Sequence, residues 1–407
     1  MKRTILVRLA AAALFALAAR PAPAEAPAVS PAERSIENAR KAIEGAPRSP
    51  AGYNELALAL ARRARETSDP SFYARAHEAV EASLALAADN PGALRARTWV
   101  LLGQHDFAAA RDLARTLNQR TPDDVMVYGF LTDANVELGD YAAAEKACQW
   151  MLDIRPGNLP ALTRAAYLRE LFGDVTGALI LMNDALASIP PSETEDRAWV
   201  LTQIGHLHAQ EGRYDLAEKA LGQAVAAFPA YHYALGQLAR VRGAQGRWAE
   251  AVELFQQRQR GADHPENLYE LAEALENAGR KDEAKEAFAR FEQGALRESA
   301  GTDNANRELI FYYTDHARRP AEALRLAQAE AARRQDVYTR AAHAWALHAN
   351  GRHAEAKKEM EGALAVGLRD PKLFRQAAAI AEKAGDRANA ARYRRALAGL
   401  NTDVASR

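Results

Sequence analysis

Ten histidines, one cysteine and scattered pairs of acids are the groups that could do chemistry in this chain of 407 residues. Their spacing argues against a catalytic site. His206 and His208 are two residues apart, so on a helix they point roughly 200° away from each other and cannot share a metal. His343 and His348 are five apart, a poor spacing for one face. Glu270 with Glu273, and Glu273 with Glu276, share a helical face at i, i+3. That geometry suits a cation or a basic peptide, and it is equally the pattern of a solvated helix. Cys148 is the only cysteine, so no intramolecular disulfide can form. Set inside a helical pattern, it reads as a small buried hydrophobe. The chain contains no His-Glu-x-x-His, no Gly-x-Ser-x-Gly, no Gly-x-x-x-x-Gly-Lys and no Cys-x-x-Cys. The expectation is a protein that is not an enzyme and uses no cofactor and no metal.

The elements that position these residues are helices. Ala, Leu, Arg and Glu dominate, aromatics make up 7% and charged residues 26%, which is the composition of a soluble all-α protein. Residues 1–24 stand apart. Lys2, Arg3 and Arg8 form a basic start, Leu9 to Ala19 an eleven-residue apolar core, and Ala22-Pro23-Ala24 a small-residue cleavage site before Glu25. This is the plan of an export signal, and the core is well short of the ~20 residues that span a bilayer. The reading is therefore a periplasmic or secreted bacterial protein with no membrane insertion after signal cleavage. Residues 1–24 hold four basic groups and no acid, so the remainder carries 49 basic residues against 53 acidic. Such a balance has no electrostatic footprint for nucleic acid.

One pattern then recurs along the whole chain. A Gly is followed two residues later by an aromatic or a substitute, and three residues after that by an Ala. Clear copies are Gly139-Asp140-Tyr141 with Ala144, Gly212-Arg213-Tyr214 with Ala217, and Gly246-Arg247-Trp248 with Ala251. The marker alanines are Ala79, Ala110, Ala144, Ala178, Ala217, Ala251, Ala284, Ala323, Ala356 and Ala390. Successive steps are 31, 34, 34, 39, 34, 33, 39, 33 and 34 residues. The 39-residue steps hold insertions around Pro190-Pro191-Ser192 and Glu298-Ser299-Ala300, read as longer loops. The Gly ends a first helix, the aromatic opens a second, and the small Ala lets the two approach closely. A Pro twelve residues after the Ala, as in Pro91, Pro122 and Pro156, closes the unit. A helix pair of this size cannot bury its apolar face alone, so units must stack.

This pattern resembles the tetratricopeptide repeat family, from Tyr53 to about Leu400. The match is fullest over Ala198 to Tyr231 and thinnest over Asn304 to Asp336, where the Gly is absent and Pro320 replaces the aromatic. The resemblance implies an all-α, right-handed α-solenoid of about ten helix-turn-helix units. The expected division is a signal peptide at 1–24, a leader and capping helix at 25–50, the solenoid at 51–400 and a disordered tail at 401–407. Within the leader, residues 25–33, with Pro27 and Pro31, read as flexible.

In that family the first helix of each unit lines a concave groove, which implies a scaffold that binds a protein or peptide there. Counting back from the markers places Tyr167, Trp199, His206, Tyr233, Arg240, Tyr269, Glu273, Tyr312, Trp345 and His348 on the inner face as partner-binding candidates. Tyr167, Tyr269, Tyr312 and Trp345 are read as one ladder of free aromatic anchors. Packing against the neighbouring unit is an equal reading for Trp199, Tyr233 and Tyr338. The Lys/Asn/Arg clamp of the chaperone adaptors is not reproduced, since Thr202, His206, Gly236 and Arg240 stand at the matching places. Two other roles compete with the binding scaffold: a self-associating structural assembly protein, and an accessory subunit of an envelope enzyme or polysaccharide exporter.

Overall fold

The computed structural model describes residues 29–402, so the export segment, the start of the leader and residues 403–407 of the tail lie outside the described residues. Among these residues there are 21 α-helices and no strand. A lone helix α1 (Pro31–Gly45) comes first. Ten helix pairs follow: α2 and α3 (Pro50–Thr67, Ser71–Leu86), α4 and α5 (Pro91–Gly103, Phe107–Arg120), α6 and α7 (Val125–Glu137, Tyr141–Ile154), α8 and α9 (Leu159–Leu171, Val175–Ser188), and α10 and α11 (Thr194–Gln210, Tyr214–Ala227). The second half comprises α12 and α13 (His232–Ala244, Trp248–Gly261), α14 and α15 (Pro265–Asn277, Lys281–Glu298), α16 and α17 (Asn306–Phe311, Pro320–Arg333), α18 and α19 (Val337–Ala349, His353–Leu364), and α20 and α21 (Pro371–Lys383, Arg387–Thr402). The architecture is an α-solenoid of tetratricopeptide type.

The marker residues work as their chemistry requires. All ten marker alanines are no more than 5% exposed, each wedged between the helices of its unit. At all ten turns within a pair, one residue has a left-handed backbone, with φ between 54° and 82°. Seven of these are glycines. The three units with a displaced or missing Gly place Ser68, His105 and Arg318 there instead, at a cost of roughly 1 kcal/mol or more for a residue with a Cβ. The next residue opens the second helix. Where it is Asp106, Asp140 or Asp174, its carboxylate caps the helix. Where it is Arg247, Arg280 or Arg352, it pairs with the Glu three residues on.

Three details differ from the sequence expectation. Pro31 is the first residue of α1, held by a capping box between Ser30 and Glu33, so the described leader is already helical where flexibility was expected. Glu66 fastens this helix by accepting from the Ser30 hydroxyl at 2.6 Å and the Ala32 N–H at 3.0 Å. The two insertions do not go wholly into loops. The first lengthens α10 to 17 residues and the second lengthens α15 to 18. At the far end α21 continues through Thr402, past the expected boundary at 401. In the unit built on Pro320, α16 is only six residues and passes into a π-turn over Tyr312–His316.

The solenoid closes on itself. The turns within the second, third and fourth units meet the loops that precede units eight, nine and ten. His105 faces Asp303 at 3.3 Å. The Gln335 N–H donates to the Glu137 carbonyl at 3.0 Å, Arg334 pairs with Glu137, 197 residues away, and the Val337 N–H donates to the Tyr141 hydroxyl, 196 residues away, at 2.9 Å. Arg334 also lies over the Phe107 ring. Gly173 and Gly367 touch backbone to backbone. Behind this seam, Val136, Leu168 and Leu171 share a core with Val337, Leu347 and Leu373. The first unit is tied across as well. Arg62 and Arg65 reach Asp196 at 3.2 and 2.8 Å, and His232 bonds the Arg65 carbonyl at 3.1 Å.

Candidate functional site

A cavity of about 1150 Å³ lies in the first turn, walled by α4, α6, α8 and α10. Four rows of the repeat supply its lining. Eighteen residues before the marker alanines stand Met126, Pro160 and Trp199. Fifteen before stand Arg95, Gly129 and Thr163; eleven before, Trp99, Asp133 and Tyr167; eight before, Leu102, Val136 and Glu170. Rows at these intervals share one helix face because 3.6 residues complete a turn. Phe130 adds apolar surface, and the seam residues Arg62, Arg65, His105, Phe107 and Glu137 complete the wall.

The charges of the cavity are mostly spoken for. Five arginines and six carboxylates line it. Arg164 grips Asp133 with two bonds, at 2.8 and 2.5 Å, and Arg95 pairs with Asp124. Glu137 is surrounded by protein, and that burial pushes its carboxyl above the ordinary value despite Arg334. Burial likewise pushes the Tyr167 phenol far up, and Tyr338, Glu137 and Glu170 nearby add to the effect. At the inner end, Glu170 is 5% exposed. Its Oε1 takes His206 Nε2 at 2.9 Å and the Gln210 amide at 2.7 Å. Burial works against a charge on His206, but Glu170 outweighs it and holds the imidazole above its ordinary value.

Of the ten residues singled out from the sequence, Tyr167 and Trp199 line this cavity, and His206 touches its edge through Glu170. The other seven lie outside this cavity. Tyr233 is 40% exposed, its ring against His232. Arg240 binds Glu270, which also holds the buried Arg258. Trp345 donates its indole N–H to Asp315 at 2.7 Å and stacks on His348. Tyr312 is half-buried and stacks on Phe288 of α15.

Tyr269 requires a correction. It is 3% exposed and packs on Phe288 and Phe291 of its own unit, so it is core and not a free anchor. Its register also differs: Tyr167, Tyr312 and Trp345 stand eleven residues before their markers, whereas Tyr269 stands fifteen before Ala284. In units five and six that row holds Thr202 and Gly236, both buried, whereas in units two to four it lines the cavity. The ladder residue of this unit is Glu273, which accepts the Tyr269 hydroxyl at 2.8 Å and faces His316 at 3.6 Å. Sequence reasoning also passed over Trp99 and Met126. The same count, continued into units two and three, reaches both.

No group of His, Cys, Asp or Glu among the described residues is placed to hold a metal ion. Cys148 is buried beside the Ala161 carbonyl, and burial pushes its thiol up to about 11, so it is inert packing. No described helix is long and apolar enough to cross a membrane.

Comparison with known proteins agrees with this architecture. The family model for the tetratricopeptide repeat matches residues 200–231 and 265–291. No curated protein matches the chain. Among solved structures, the human IFIT1 dimer with PPP-AAAA is similar at a TM-score of 0.52 and 13% identity, over 92% of this chain and 87% of that one. The same human protein with m7Gppp-AAAA gives a TM-score of 0.52 at 14% identity, over 92% and 86% of the two chains. PilW, a type IV pilus biogenesis factor, gives 0.43 at 17% identity, over 50% of this chain and 92% of that one. At these identities the likeness is one of fold alone.

Proposed function

Because the chain is a tetratricopeptide-repeat protein, we propose that it is a non-catalytic scaffold that binds a segment of a protein or peptide in the concave cavity of its first turn. The observation that carries this reading is the cavity itself. About 1150 Å³ stays open between Trp99, Phe130, Tyr167 and Trp199. That is somewhat more than the ~300–1,000 Å³ typical of small-molecule pockets. Large aromatic rings around paired charges suit a segment anchored by one or two side chains. The arginines favour peptide over nucleic acid, because Arg62, Arg65, Arg95 and Arg164 are already paired with carboxylates. The basic start, short apolar core and small-residue site within residues 1–24 support a periplasmic or secreted location in a bacterium. The exposed Arg387, Arg392, Arg394 and Arg395 on the last helix favour a solvated end over stacking of copies.

The test is a peptide-display selection on the purified protein, followed by hydrogen-exchange footprinting of a selected peptide. Protection is expected along α4, α6, α8 and α10, with binding abolished by Thr163→Trp, which fills the cavity. Protection confined to the second helices of the pairs, or to units seven to ten, would overturn the reading. N-terminal sequencing of the mature protein tests export, and a retained Met1 would refute it.

A further inference from the structure

The inner end of the cavity has an unbalanced supply of hydrogen-bond acceptors. A carboxylate offers about four lone-pair sites on two oxygens. Glu170 is 95% removed from solvent, and both of its donors, His206 and Gln210, converge on Oε1. Among the described residues no donor reaches Oε2. Oε2 is not sealed off and stays open to the cavity that Glu170 lines, so it is the acceptor a bound group can reach. His206 and Gln210 together leave the lone pairs of Oε2 unmet. The Tyr167 ring lies one helical turn before Glu170 on the same face of α8, and Trp199 stands on the next inner helix. Glu137 is a second glutamate of the lining. The cavity's four paired arginines have no spare role toward this end.

Resting on the cavity-binding reading, we propose that Glu170 selects the partner: the bound segment presents a Lys or Arg side chain whose head donates to Glu170 Oε2, with its stem along Tyr167 and Trp199. An ammonium or guanidinium supplies the missing donors and the charge. Aromatic faces beside it add a cation–π attraction. A neutral amide would supply a donor without the charge, and an acidic side chain would be repelled.

The test uses random nonapeptides displayed on phage, selected in parallel on the parent protein, on Glu170→Gln and on Thr163→Trp. Selection on the parent should enrich a single basic position, and selection on Glu170→Gln should lose that enrichment. The best basic peptide should bind Glu170→Gln at least ten-fold more weakly. Changing its basic residue to norleucine should weaken binding to the parent equally, and combining the two changes should add nothing further. The norleucine arm stands even if Glu170→Gln proves unstable by circular dichroism. Cavity-dependent peptides without basic enrichment, or with the same enrichment on both proteins, would overturn the role of Glu170 alone. Peptides recovered equally well on Thr163→Trp, or no peptides at all, would overturn the cavity reading with it.

Discussion

Two glycines at the same repeat position separate the closed superhelix from an open one. Gly173 and Gly351 both end the first helix of a pair, with φ of 82° and 74°. Replacing either by Ala therefore carries the same left-handed strain, about 1–2 kcal/mol. Their surroundings differ. A Cβ on Gly351 meets nothing within 4 Å, whereas a Cβ on Gly173 falls 2.6 Å from the Gly367 carbonyl oxygen across the seam. An ordinary carbon–oxygen contact begins near 3.4 Å, so the two turns must separate by most of an ångström or strain to stay together. Overpacking of this kind costs about 1–3 kcal/mol. Gly173→Ala should therefore destabilise by that much more than Gly351→Ala. Gly139→Ala should behave like Gly173→Ala, since its Cβ would lie 2.7 Å from the Gln335 carbonyl oxygen. Urea titration followed by circular dichroism gives the difference. Hydrogen exchange should show the excess loss of protection at residues 334–337 and 366–369. Equal destabilisation by Gly173→Ala and Gly351→Ala would refute the closed seam and with it the enclosure of the cavity.

Three further outcomes are expected. Arg318 is exposed with φ of 54° and stands where seven other units have Gly, so Arg318→Gly should stabilise its unit by about 0.5–1 kcal/mol, read as slower exchange over 306–317; unchanged or faster exchange would count against it. Burial depresses His232 from 6.5 to about 4, although its bond to the Arg65 carbonyl favours the charged form; the neutral ring thus contributes stability that is fully present above pH 6.5 and lost as the pH falls toward 4, up to roughly 3 kcal/mol. His232→Asn should flatten that part of the parent's pH–stability curve, and an unchanged slope between pH 6.5 and 4 would refute it. Tyr269→Ala should cost about 3–5 kcal/mol as a core truncation, against under 1 kcal/mol for the 40% exposed Tyr233→Ala, and denaturant midpoints of the two variants would show the opposite order if Tyr269 were a surface anchor.

The sequence by itself determined each helix pair and the number of pairs. A Gly that can turn left-handed, an aromatic two residues on and a small Ala three beyond that act within some forty residues, so their meaning is local and a spacing of about 34 exposes it. Even the departures were legible: the units lacking the turn glycine are those in which Ser68, His105 and Arg318 take its strained conformation. The inner face was partly legible for the same reason, since counting back from Ala178 reaches Tyr167, which lines the cavity. It failed at Tyr269, because the row fifteen before the marker lines the cavity in units two to four but turns onto Phe288 and Phe291 in unit seven. What only the tertiary structure decided is which inner residues remain open. That depends on the small rotation between neighbouring units, summed over half the array until Glu137 meets Arg334, 197 residues away. No local pattern encodes the sum. Gly173 and Gly351 look alike in the sequence, yet one holds a seam and the other faces open space, because each unit packs only against its neighbours and the closure belongs to all of them together.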